Sequence, residues 1–85
     1  MGTKNNPGEF DCYAHAQPDE PMFILLGRDA SAAHLVEEWA DMREEDVRWG
    51  RKPVSDMAMV KESRQCAKAM REFHARREAR KNERP

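Results

Sequence analysis

Pro21-Met22-Phe23-Ile24-Leu25-Leu26-Gly27 is the most apolar stretch of this chain, and its reading sets the expected architecture. Five apolar residues follow a proline, which suits the first position of a strand, and a glycine ends them. As a strand over 22–26, the stretch points Phe23 and Leu25 to one face and Met22, Ile24 and Leu26 to the other. Both faces are apolar, so both require cover. Two helices can cover one face; the other face and the two unpaired edges need more. Pairing with the same strand of a second copy supplies it, which predicts a homodimer. The alternative is that residues 9–14 pair with the strand and a loop covers the remainder.

On the C-terminal side the pattern turns helical. Asp29 or Ser31 can cap a helix over about 30–47, where Ala32, Leu35, Val36, Trp39 and Met42 form one apolar stripe. Gly50 and Pro53 mark a break. Ser55 can cap a second helix over about 55–80, with Asp56 favourably placed in its first turn. Its stripe is Met59, Val60, Ser63, Cys66, Ala67, Met70, Phe73 and His74. On the N-terminal side, Asn5-Asn6-Pro7-Gly8 and Pro18-Asp19-Glu20-Pro21 read as turns. Residues 1–11 are expected to be disordered or extended, 12–80 to form a single small domain and 81–85 a tail. The expected class is α+β, mostly α: a short strand, then an antiparallel two-helix hairpin, dimerising through the strand.

With 85 residues, such a domain buries only about 60% of the surface its unfolded chain exposes. Domains this small lean on a disulfide, a metal or a partner chain. The cysteines are Cys12 and Cys66. No apolar run reaches the length of a secretory signal, and Met22–Leu26 is too short for a membrane span. The expected compartment is therefore the cytoplasm, where thiols stay reduced and a Cys12–Cys66 bridge is not expected.

The net charge of -1 conceals an asymmetry. Residues 1–47 hold eleven acids and three bases, and residues 48–85 hold twelve bases and five acids. One reading is that the halves attract each other and solvate the surface. The other is two faces with different partners.

Complete catalytic or metal-binding constellations are missing from the sequence. Cys12-x-x-His15 is half of a zinc spacing, but Cys66 and His74 sit on the helical stripe, where thiols and imidazoles are ordinary core residues. Asp19, Glu20, Arg28 and Asp29 flank the strand; gathered around a dimer axis they could bind a phosphate or carboxylate ligand. Glu37, Glu38, Asp41, Glu44, Glu45 and Asp46 make the first helix acidic, able to imitate a phosphate backbone. Trp49 is a candidate interface anchor. Lys68, Arg71, Arg76, Arg77, Arg80, Lys81 and Arg84 form a basic tail that could contact nucleic-acid phosphates.

Tyr13, Ala16, Asp19-Glu20-Pro21, Phe23, Leu25, Arg28-Asp29, Ala32, Val36 and Trp39-Ala40, followed by Ala67, Met70 and Phe73, resemble a pattern found in small uncharacterised proteins of temperate phages and prophages. The resemblance covers about residues 12–74 and implies a context: small phage proteins of this kind often act by binding, as anti-CRISPR and signal-sequestering proteins do. The expected function is accordingly a non-catalytic inhibitor of a bacterial defence complex in the host cytoplasm, an anti-CRISPR protein first, without a cofactor. Its contacts with a CRISPR effector would come from Glu37, Glu38, Asp41, Glu44, Glu45 and Trp49. The alternatives are a protein that sequesters a nucleotide signal through Asp19, Glu20, Arg28 and Asp29, and a small DNA-associated regulator using the basic tail.

Overall fold

A computed structural model describes residues 1–82. Three helices lie along them: α1 at Cys12–His15, α2 at Ala32–Arg48 and α3 at Met57–Asn82. A 3-10 turn, Val54–Asp56, leads into α3.

α2 and α3 form an antiparallel hairpin, and small residues are what let them meet. Ala32, Ala33 and Ala40 of α2 and Val60, Ser63 and Ala67 of α3 are buried, and Val60 is the largest fully buried side chain among the described residues. The Ser63 hydroxyl donates to the Val60 carbonyl at 2.7 Å, so this buried polar group is satisfied within its own helix. At the end of α2, Trp49 N donates to Glu45 O at 3.0 Å and Gly50 N to Val47 O at 3.1 Å. Gly50 then adopts φ 76°, the left-handed conformation that ends a helix without a Cβ clash.

The strand expected over 22–26 does not form. Among the described residues there is no strand, only an isolated bridge between Gly2 and Pro7. The class is all-α, and the strand-mediated dimer argued from that strand loses its basis. The physical reason lies upstream. The segment that could have paired with Met22–Leu26 winds into α1 instead, with the Asp11 carboxylate accepting from Tyr13 N at 3.2 Å. An extended segment without a partner has no ladder, so Met22, Phe23, Ile24 and Leu26 lie exposed.

The N-terminal segment, expected to be disordered or extended over residues 1–11, folds back onto α3 through Glu9 and Phe10. Glu9 N and Phe10 N donate to the two carboxylate oxygens of Glu62 at 2.9 and 3.1 Å. Gly8 N donates to Met1 O, and the Met1 ammonium to Phe10 O. Further along, Gly27 packs against Met70 and Phe73 of α3.

The hairpin has two unlike flanks. Val36, Ala40 and Arg43 of α2 turn toward α3. Residues one position later, Glu37, Asp41 and Glu44, fall on one side of that contact line, and residues one position earlier, Leu35, Trp39 and Met42, on the other. α3 divides in the same way. Arg64 and Arg71 follow the buried line on the side of the acids. Glu62, Cys66 and Phe73 precede it on the other side, where the N-terminal segment docks.

Candidate functional site

The acidic helix does not offer its six carboxylates as one surface. Arg71 forks onto both carboxylate oxygens of Glu37, one contact at 2.8 Å. Arg64 spans two acids, donating to Asp41 Oδ1 and to Glu44 Oε2, each at 2.8 Å. Asp46 accepts from Arg51 at 2.8 Å. These bonds leave their mark on ionisation. The hydrogen bond from Arg71 holds the Glu37 carboxyl below its ordinary value. The bond to Asp41 leads the effects that raise Arg64, and the bond to Glu37 leads those that raise Arg71. The same flank carries an open groove of about 340 Å³, lined by Glu44, Met57, Val60, Lys61, Arg64 and Lys68 among others.

What remains is narrower than the sequence suggests. Glu38, Glu45 and, just past the end of α2, Trp49 are spaced by seven and four, so they share the face turned away from α3, with Asp41 at its edge. Glu38 is exposed, with His34 Nε2 at 3.1 Å from its Oε1. Glu45 is exposed and enters no ion pair among the described residues. Asp41 stays largely exposed despite its bond to Arg64. Trp49 is 66% exposed at the tip of the hairpin. Its backbone is fixed by the bond to Glu45 O and the turn at Gly50, so the indole is presented from a defined position.

The four residues proposed around a dimer axis are not brought together. Glu20 is tied to its own turn, its Oε1 accepting from Gln17 N at 3.0 Å, and it lines an open depression of about 410 Å³ with Cys12, His15, Met22 and Phe23. Asp19 is exposed beside it. Asp29 lies in the turn before α2, its Oδ1 accepting from Ser31 N at 2.9 Å rather than capping the helix as expected. Arg28 is exposed and joins no ion pair among the described residues. Without the strand, nothing relates one end of Met22–Leu26 to the other end or to a symmetry axis.

Cys12 and Cys66 are free thiols, and among the described residues no cluster of three His, Cys, Asp or Glu side chains could hold a metal ion. No helix among them is long and apolar enough to cross a membrane. In the basic tail, Lys68, Arg76, Arg77, Arg80 and Lys81 are exposed, while Arg71 is committed to Glu37. Arg84 lies outside the described residues.

The roles of four positions escaped the reading of the sequence. Arg64 was not singled out and Arg71 was read only as part of the basic tail, yet Glu37 and Glu44 are seven apart, as are Arg64 and Arg71, a matched spacing across an antiparallel hairpin. Arg43 was also missed. It bonds Asp56 at 2.9 Å and stacks over Trp39, 4.9 Å from the ring centre. Glu62 gave no signal, because its partners are backbone amides. No family model, no curated protein and no solved structure matches this chain.

Proposed function

We propose that this chain is a non-catalytic, phage-encoded inhibitor of a bacterial defence system, an anti-CRISPR protein by first choice, that docks on a nucleic-acid-binding effector through the outer face of α2 and Trp49. The observation that carries the reading is the exposed Trp49 at the hairpin tip. An aromatic side chain held out from a rigid turn is the type of group that dominates binding energy when a partner pocket desolvates it. Around it the outer face is acidic through Glu38, Asp41 and Glu45, which favours a basic partner surface such as a nucleic-acid channel. Glu37 and Glu44 are removed from the contact set, because their charge is already spent on Arg71 and Arg64.

The test separates docking from folding. Reversing Glu37 or Glu44 would break the hairpin's own ion pairs, so the informative variant is Glu38→Lys, Glu45→Lys and Trp49→Ala together. These side chains hold no partner on α3, so circular dichroism and the melting temperature should stay near those of the parent. Expressed in cells that carry a CRISPR system, the parent should restore plaque formation by a targeted phage and the triple variant should not. Full protection by the triple variant would remove this surface from the mechanism.

A second reading, a small DNA-associated regulator, is favoured by one observation: Arg76, Arg77 and Arg80 are exposed where α3 runs past the start of α2. Phosphate contacts made there would be strongly salt-sensitive. Truncation after His74 should abolish them.

A further inference from the structure

Four of the five side chains of Met22–Leu26 are exposed: Phe23 at 85%, Ile24 at 60%, Leu26 at 48% and Met22 at 43%. The main chain here is as unpartnered as the side chains. It runs without turn or bend from Glu20 to Leu26. Among the described residues no amide from Met22 to Gly27 donates to a backbone carbonyl. Of the carbonyls of Met22–Leu26 only that of Leu26 accepts, from Asp29 N at 3.0 Å. A segment of strand composition and of the usual strand length, about five residues, therefore stands with its ladder groups free. An added strand brings these two things to a sheet edge: main-chain hydrogen bonds for affinity and alternating side chains for pockets.

We propose that Met22–Leu26 docks by strand addition to the open sheet edge of a partner protein. In the isolated chain the segment is no strand, and the partner supplies the ladder. A second copy is the poorer occupant. Two such segments paired alone would make a two-stranded ribbon with both outer edges open, which is marginal in water. An existing sheet takes the segment as one more edge strand. The side chains narrow the partner further. Extended, the segment sets Phe23 on one face and Met22, Ile24 and Leu26 on the other. Exposed apolar groups on both faces suit a sheet covered on both sides, as parallel α/β sheets are, rather than one with a solvated face. Gly27 packs against Met70 and Phe73 of α3, so the hairpin presents the segment from a fixed end. The partner is the effector of the inhibitor reading, on which this proposal rests, and the contact lies at the end of the hairpin away from Trp49.

A ladder has a parity that a merely apolar contact lacks. Only every second residue of an added strand turns its N–H to the partner sheet; the others face solvent, where proline is tolerated. Ile24→Pro and Leu25→Pro differ by one position, so one should abolish binding and the other keep it. In cells where the parent restores plaque formation, the full chain should co-purify with the tagged CRISPR effector, and one of the two proline variants should not. Loss in both folded variants, or in neither, overturns the proposal. Melting temperatures show whether each variant is folded. Where one is not, hydrogen exchange on the parent, read amide by amide, decides instead. Bound effector should protect alternate amides of Met22–Leu26, and unchanged exchange overturns the added strand. A parent that light scattering shows to be a dimer on its own, and that Ile24→Pro makes a monomer, gives the segment to a second copy and also overturns the proposal. A parent that protects no cells removes the inhibitor reading and this proposal together. Protection without parity or alternate exchange removes this proposal alone.

Discussion

Ser63 is fully buried on the face of α3 that meets α2, and its neighbours in the core are alanines and a valine. At such a contact, size matters more than hydrophobicity, because every added methylene pushes the helices apart. Ser63→Leu is therefore expected to destabilise the fold by about 1–3 kcal/mol through overpacking, although it replaces a polar residue with an apolar one. Urea denaturation measures this, and an equal or higher midpoint would show that the helices are not held at close approach. The same reasoning explains where the sequence misled. Leu35 and Met42 belong to the stripe by spacing, but alanines take the closest approach and the larger side chains turn one position aside. Glu37 carries the residue-scale pH dependence. Its folded value lies below the ordinary 4.5. Its contribution is thus fully present above about 4.5, the unfolded value, and is lost as pH falls through the folded value. The Glu37→Gln variant should lose less stability between neutral and acid pH than the parent, as melting temperatures across that range would record.

Met22–Leu26 has the composition of a strand and none of its conditions. β-propensity describes fit to a paired, half-buried surface, and the chain supplies no pair. The segment that might have served became α1, a choice set by Asp11 capping and invisible to apolar patterning. The two long helices were legible because spacing and the Gly50–Pro53 break agree over many residues, although the expected caps do not form: Ser31 makes no side-chain bond to α2, and Ser55 lies in the 3-10 turn before α3. Their lateral order was written in the charges too, in the matched seven-residue spacing of Glu37 with Glu44 and Arg64 with Arg71, but reading the acids and bases as separate faces passed over it. The docking of residues 1–10 was not, since it runs through backbone amides on Glu62. Phe23 tests the status of the apolar segment. At 85% exposure it contributes little to the packed structure. Phe23→Ser should leave the urea midpoint within about 0.5 kcal/mol of the parent. A loss of 2 kcal/mol or more, of the order of burying a whole aromatic side chain, would mean that the segment is packed in solution.

Length mismatch shapes the whole molecule. α3 is about 39 Å long and α2 about 26 Å, so the hairpin cannot close evenly. The radius of gyration is 14.9 Å, against about 12 Å for a compact chain of this length, and the longest axis is 54 Å. The mismatch also divides the charge. Where the helices overlap, Arg64 and Arg71 of α3 are taken up by the acids of α2; beyond, Arg76 lies over the Phe73 ring, Lys81 contacts Glu78, and Arg77 and Arg80 enter no ion pair among the described residues. Burial along α3 ends near His74, which is only half-buried. Truncation after His74 should therefore leave the urea midpoint close to that of the full chain, because the lost residues contribute no buried side chain among those described. The same cut removes five bases and two acids and takes the net charge from -1 to -4. The two functional readings respond oppositely. An inhibitor that docks through Trp49 and the outer face of α2 should act undiminished, whereas a DNA-associated regulator should lose its salt-sensitive binding. A truncated chain that folds, fails to inhibit and no longer retards DNA would place the working surface on the basic end of α3 and overturn the Trp49 reading.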